Sequence, residues 1–222
     1  MQKGDFVRID YIAKLESGEV FDLTKEDVAK KENIHNPNIK YKPVPIIVGA
    51  GFVIPGLDKA LLNLHVGDKK TIEVSPQEGF GNRDPNLVRV IPQKVFKDNK
   101  MDPQQGLVVD FSGMKGRIQS VAGGRVRVDF NNPLAGKTLV YELEIKEKIE
   151  NPEEQVKAIF EFFGIEKAEV EMSDDVEIET VKLPVEMKEK ISSLILDNVK
   201  VAEKPVQKVK FIETYESKQP AK

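Results

Sequence analysis

Fourteen of the 15 glycines lie in residues 1–150, and residues 151–222 hold only Gly164. Glycine is the residue of tight turns and positive φ. The first part is therefore expected to fold as many short strands joined by turns, and the rest as a differently built module. A length of 222 residues allows one to two domains at about 150 residues each. With no Cys, disulfide scaffolds, thiolate metal sites and a Cys nucleophile are excluded. Only His35 and His65 could supply imidazole, so no metal site is expected. The net charge of −3 gives no global reason to expect a nucleic-acid partner. No apolar run approaches the ~20 residues of a membrane span, and residues 1–5 lack a signal-peptide core. No membrane partner is expected, and the cytoplasm is the expected location.

Periodicity divides the chain further. Residues 6–15 alternate, with Val7, Ile9, Tyr11 and Ala13 on one face of a half-buried strand. A short charged helix is expected over 24–33, and Ile46–Val48 is a short apolar run. Leu57, Ala60, Leu61 and Leu64 make one helical face, with Pro55 at its start and Gly67 past its end. Strands are expected over 70–74 and 138–149. Between them, residues 86–133 read as an inserted all-β module with a hairpin, 118–121 meeting 125–130 across Ala122-Gly123-Gly124. This segment carries eight Lys and Arg against four Asp. Residues 151–222 read as αββαβ: helices from Asn151-Pro152 to Phe163 and over 185–197, strands over 168–172, 176–181 and 208–215. This part carries 11 Lys against 16 acidic residues.

Familiar chemical motifs fail. Gly49-Ala50-Gly51 would need Gly where Ile54 stands to form a dinucleotide loop. Gly51 and Gly56 have phosphate-loop spacing, but Leu57-Asp58 follow instead of Lys-Ser/Thr. His65 is expected to be a surface or capping residue near a helix end, and His35 a solvent-exposed one.

An ordered series does resemble a known family. Asp10-Tyr11, Phe21-Asp22, Val48-Gly49, Val53-Ile54-Pro55-Gly56-Leu57, Val66-Gly67-Asp68, Ser75-Pro76 and Phe80-Gly81 resemble the FKBP-type peptidyl-prolyl cis/trans isomerases. Leu139 to Glu144 resembles their last strand, and the segment between is placed like the insert-in-flap module of the SlyD-like branch. The resemblance implies an α+β fold, an antiparallel half-barrel around a short helix. It divides the chain into an isomerase domain (1–85 with 134–150), an insert (86–133) and a C-terminal αββαβ domain (151–222). It also implies an apolar pocket. Carried over by position, Tyr11, Phe21, Asp22, Ile54, Phe80 and Tyr141 are the catalytic positions, with Val44, Ile46, Val53 and Leu57 completing the pocket and Leu57 as its floor. Phe80 stands where many members have Tyr, and Val44 where an aromatic is common. The SlyD-type His-rich metal tail is absent; the chain ends Lys218-Gln219-Pro220-Ala221-Lys222.

The implied activity needs no metal, nucleophile or cofactor. The barrier to X–Pro rotation comes from amide resonance, and a site that binds the rotated state better than the ground state lowers it. Asp22 is the one carboxylate among these positions and is expected to orient Tyr11. The expected partners are unfolded or proline-containing polypeptides. Val90, Ile91, Phe96 and Met114 of the insert are candidates for an exposed chaperone surface; the alternative is that most of the insert's apolar side chains build its own small core. Off-stripe Phe162, Leu196 and Ile212 are candidates for a homodimer contact or a client surface. The alternative is a holdase that keeps the pocket for binding only.

Overall fold

In a computed structural model of the chain, residues 1–111, 113–173 and 175–213 are described. The strand end expected at 214–215, Asp174 of the 173–175 turn and the Lys218–Lys222 tail lie outside them. The elements, in chain order, are β1 (Phe6–Leu15), β2 (Val20–Leu23), α1 (Glu26–Lys31), β3 (Val44–Ile47), α2 (Pro55–Leu61) and β4 (Lys69–Val74). Then come β5 (Val88–Pro92), α3 (Gln93–Asp98), β6 (Val108–Phe111), β7 (Met114–Ala122), β8 (Arg125–Asp129) and β9 (Leu139–Lys148). The last are α4 (Pro152–Phe162), β10 (Ala168–Met172), β11 (Val176–Thr180), α5 (Val185–Asn198), β12 (Lys200–Val201), β13 (Lys204–Pro205) and β14 (Val209–Ile212). By contacts the chain divides into two compact units, Met1–Val74 with Val140 onward, and Ser75–Leu139.

In the first unit, β1 organises the sheet. Its first half pairs antiparallel with β3 (Phe6 opposite Ile47, Ile9 opposite Val44), and its second half with β2 (Ile12 opposite Leu23). The sheet runs β2-β1-β9-β4, with β3 joined to β1. Helix α2 packs on β4 and buries Leu57 and Leu61. Alternation in β1 predicts one buried face, but the structure buries both. Val7, Ile9 and Ala13 are buried, and so are Phe6 and Ile12 on the other side. The reason is a second layer. Ile12 packs with Leu23 and Ala29 under α1. Phe6, Ile47 and Ile149 share a core with Val156, Ile159 and Phe160 of α4 and with Ile191 and Ile195 of α5.

Residues 151–213 therefore do not build their core alone. The Asn151 side chain accepts a hydrogen bond from the Glu154 N–H (3.1 Å), and Pro152 opens α4, the capping expected from the sequence. Strands β10 and β11 pair antiparallel, and β14 joins β11 in parallel. A small antiparallel hairpin, β12–β13, stands between α5 and β14 in addition to the expected αββαβ order. An ion-paired seam reinforces the junction. Arg8 of β1 reaches Glu161 of α4 at 2.7 Å and Glu147 of β9 at 2.9 Å, and Lys42 also pairs with Glu161. Partial burial tends to raise the Glu161 carboxyl, but its bonds to Arg8 and Lys42 outweigh that and hold it low.

The second unit is a four-stranded antiparallel sheet of order β5-β8-β7-β6. Its β7–β8 hairpin closes on Gly123-Gly124, both with positive φ (55° and 71°), the two-residue turn that matches strand twist. A short helix, α3, accompanies the strands that the sequence suggested. It is needed to close a small core: Phe96 of α3 packs with Val109, Ile118, Val126 and Val128. Gly116 lies beneath this sheet's side chains; a Cβ there would meet Val128 Cγ1 at 2.6 Å and Phe130 at 2.7 Å.

Candidate active site

The alternation of β1 that buries Val7 also directs Ile9 and Tyr11 inward. Those two side chains line a cavity of about 380 Å³ in the first unit. Val44 and Ile46 enter it from β3, Val53 and Ile54 from the loop before α2, and Leu57 from the first turn of α2. Tyr141 comes from β9, and Asp22 from β2. Of the ten pocket positions expected from the sequence, eight are brought together here, all of these residues except Ile9, which was not among the ten.

Among the described residues, Asp22 is the cavity's single carboxylate, and it is exposed. Both its oxygens are engaged. The Tyr11 hydroxyl donates to Oδ2 at 2.8 Å, and the Leu23 N–H donates to Oδ1 at 2.9 Å. The carboxylate thereby fixes the orientation of the Tyr11 ring through a charge-assisted bond. The strand beneath is fixed as well. The Tyr11 N–H donates to Thr24 Oγ1 (2.9 Å), and the Thr24 hydroxyl donates to the buried Asp10 (2.8 Å). Tyr11 and Tyr141 stand ring to ring at 6.0 Å. Burial pushes the Tyr141 phenol up to about 12, with the nearby Asp22 charge adding to the effect. Burial raises the Tyr11 phenol still further, again helped by Asp22. Both rings are neutral hydroxyl donors throughout the neutral range.

Helix α2 begins where the loop must be held. Asp58, one residue beyond Leu57, accepts from the Gly49 N–H at 2.7 Å and the Gly51 N–H at 3.3 Å. Gly49 and Gly51 have φ of 76° and 72°, conformations that favour glycine. The loop carrying Val53 and Ile54 is thus tied to the helix it precedes.

Several expectations are corrected. Phe21 does not line the cavity. It sits at the irregularity in the β1–β2 pairing, where Ala13 is opposite Asp22 and Lys14 opposite Val20; Asp22 takes the lining position, and the Phe21 ring backs the lining residue Tyr141 edge-on at 6.1 Å. Phe80 belongs to the second unit, where it is 37% exposed. In the insert, Phe96 is 0% exposed and cannot belong to a docking surface, because the unit's core is built around it. Ile118 is buried in the same core, and Ile91 is packed against it. Val90 at 60% and Met114 at 41% are exposed as expected. His35 is half-buried rather than exposed, stacked on Tyr41 at 5.4 Å and 3.1 Å from Glu26. His65 is a surface residue. Sequence reasoning missed Ile9, Gly51, Phe52 and Phe162 of the cavity lining. Ile9 carried the signal, sharing the alternation with Tyr11. Phe162 carried none that points here.

Among known proteins, the chain is 37% identical over 147 residues to a short-type peptidyl-prolyl cis-trans isomerase of Methanocaldococcus jannaschii, covering 66% of this chain and 93% of that one. The chain belongs to the FKBP-type peptidyl-prolyl cis/trans isomerases. A probable FKBP-type 16 kDa isomerase of Pseudomonas fluorescens is 32% identical over 63% of the chain and 85% of its own length. The SlyD isomerase of Helicobacter pylori is 29% identical over 71% of the chain and 83% of its own. A family model described as FKBP26, IF domain, matches residues 89–134. The matched residues fall within the second unit, and the cavity of the isomerase lies wholly in the first.

The raised phenols give a prediction with a definite sign. Between the ordinary tyrosine value of 10.0 and the folded value near 12, Tyr141 holds its proton in the folded protein and loses it in the unfolded chain. Its contribution to stability is present below pH 10.0 and is lost as the pH rises towards 12. Tyrosinate absorbance during an alkaline titration should show a late phase that Tyr141→Phe diminishes. An unchanged late phase in that variant would contradict the burial argument.

Proposed function

We propose that this cavity seats the proline of an X–Pro segment and that the isomerase accelerates rotation there by binding the rotated amide more tightly than either planar form. The observation that carries the reading is the convergence of Tyr11, Asp22, Ile54, Leu57 and Tyr141 on one otherwise apolar cavity. Rotation must break an amide resonance worth a barrier of ~18–20 kcal/mol. The rotated amide is less polar across C–N, and an apolar, water-poor site favours it. In this reading Ile46, Val53 and Leu57 receive the pyrrolidine ring, and the Ile54 N–H donates to the substrate carbonyl beside it. The neutral hydroxyls of Tyr11 and Tyr141 are further donors. Asp22 acts through Tyr11, holding the phenol by the 2.8 Å bond, with no proton transferred.

The isomerase part comprises 1–85 with 134–150, the insert 86–133 and the C-terminal part 151–222. The insert adds a surface for unfolded clients. Val90, Leu107, Val108 and Met114 are exposed large apolar side chains on a segment carrying eight basic against four acidic residues. Val185, Leu196 and Ile212 are exposed apolar positions of the C-terminal part. They support a homodimer through that part, which Ile212→Lys should weaken in light scattering; a full-length protein that is monomeric at every concentration contradicts it.

Two activity measurements test this function. Asp22→Ala should lower kcat/KM on a proline tetrapeptide about tenfold, the scale of a lost hydrogen bond to a charged group. Turnover equal to that of the unaltered protein would remove Asp22 from the site. Replacing 86–133 with a short Gly/Ser linker should leave tetrapeptide turnover in place and depress catalysed refolding of a proline-limited protein. Equal losses on both substrates would contradict a client-binding insert.

A further inference from the structure

Among the described residues, Phe162 is the only one from beyond residue 150 that lines the cavity. It ends α4, a helix anchored through the residues just before that position. Val156, Ile159 and Phe160 are buried in the core shared with Phe6 and Ile47. The adjacent Glu161 is bound by Arg8 at 2.7 Å and by Lys42. Helix α4 packs on β3, the strand that supplies Val44 and Ile46 to the cavity. The Phe162 ring lies 4.4 Å from Phe52 and 5.4 Å from Phe163, yet it remains only half-buried and lines the cavity. A phenyl ring fixed by its neighbours and left open to a cavity offers apolar contact at little entropic cost.

We propose that Phe162, backed by Phe52, is a specificity-determining residue of the isomerase: an aromatic wall for a large apolar side chain next to the substrate proline. This rests on the reading of the cavity as the prolyl site. At about 380 Å³ the space is of the size that takes a whole drug-sized group, more than one pyrrolidine ring, so a neighbouring side chain has room. Substrate choice would then be shared between the barrel strands and a helix of the C-terminal part. Because the contact is made in the planar and rotated states alike, it acts mainly on KM.

The test uses the full-length chain and exchange NMR on two peptide series, one varied before proline and one after it, each through Ala, Leu, Phe and Glu. Phe162→Ala should lower kcat/KM about three- to tenfold for the Leu and Phe peptides of at least one series and less than about twofold for Ala and Glu, the range of an aromatic contact. The loss should appear in KM, Phe162→Trp should retain the apolar preference, and Phe162→Leu should fall between. Equal loss on every peptide would make Phe162 a structural staple, and no loss on any would remove it from the site; either overturns the proposal. Tyr141→Ala runs alongside as the control on the cavity. Loss on all peptides supports the prolyl site, whereas unchanged turnover shows that the cavity is not the site and overturns both readings.

Discussion

Burial of β1 and β3 on both faces is the constraint on which the first unit depends. A strand buried on one side needs only alternating residues, but these strands carry apolar side chains on both. Ile9, Val44 and Ile46 face the cavity, while Phe6 and Ile47 face α4. The inner side must stay partly empty to admit a ligand, so the stability of the strands has to come largely from the outer side. Helices α4 and α5 supply it with Val156, Ile159, Phe160, Ile191 and Ile195. An apolar cavity forgoes packing that a filled core would have, and the second layer offsets that loss.

The same arrangement explains how polar chemistry is held in an apolar site. Among the described residues one carboxylate enters, Asp22, and it is at an exposed position with both oxygens occupied. An isolated buried charge would be costly; Asp22 avoids that cost and still controls Tyr11. The loop bearing Ile54 is fixed by Asp58 from the following helix rather than by its own side chains. Rigidity of this kind matters for a reaction that depends on differential binding, since a loose site would adapt to the planar amide as readily as to the rotated one.

Much of this was legible in the sequence. The stripe of Val156, Ile159 and Phe160 with its Asn151-Pro152 start placed α4 almost to the residue, and Gly123-Gly124 marked the hairpin turn. Eight cavity positions were readable through the resemblance to the FKBP-type isomerases, which carries them over by position; strand alternation by itself leaves Tyr11, Ile46 and Tyr141 open to a plain core reading. What was not legible depends on long-range packing. Phe162 lies off the main stripe, and the ring it meets, Phe52, is far away in the chain, so no local period connects them. The outer burial of Phe6 was hidden because its partner layer begins after residue 150. Phe96 could be read as surface or as the insert's own core, because a short helix amid strands leaves no sequence period long enough to recognise.

The central claim is that the cavity holding Tyr11, Ile54 and Tyr141 receives proline. The most direct measurement is an NMR titration of the full-length protein with a short X–Pro peptide. The largest shifts are predicted at the Ile54 amide and at the Tyr11, Leu57 and Tyr141 side chains, with Asp22→Ala weakening them. Shifts confined to residues outside this lining, with these four unmoved at saturation, would contradict it.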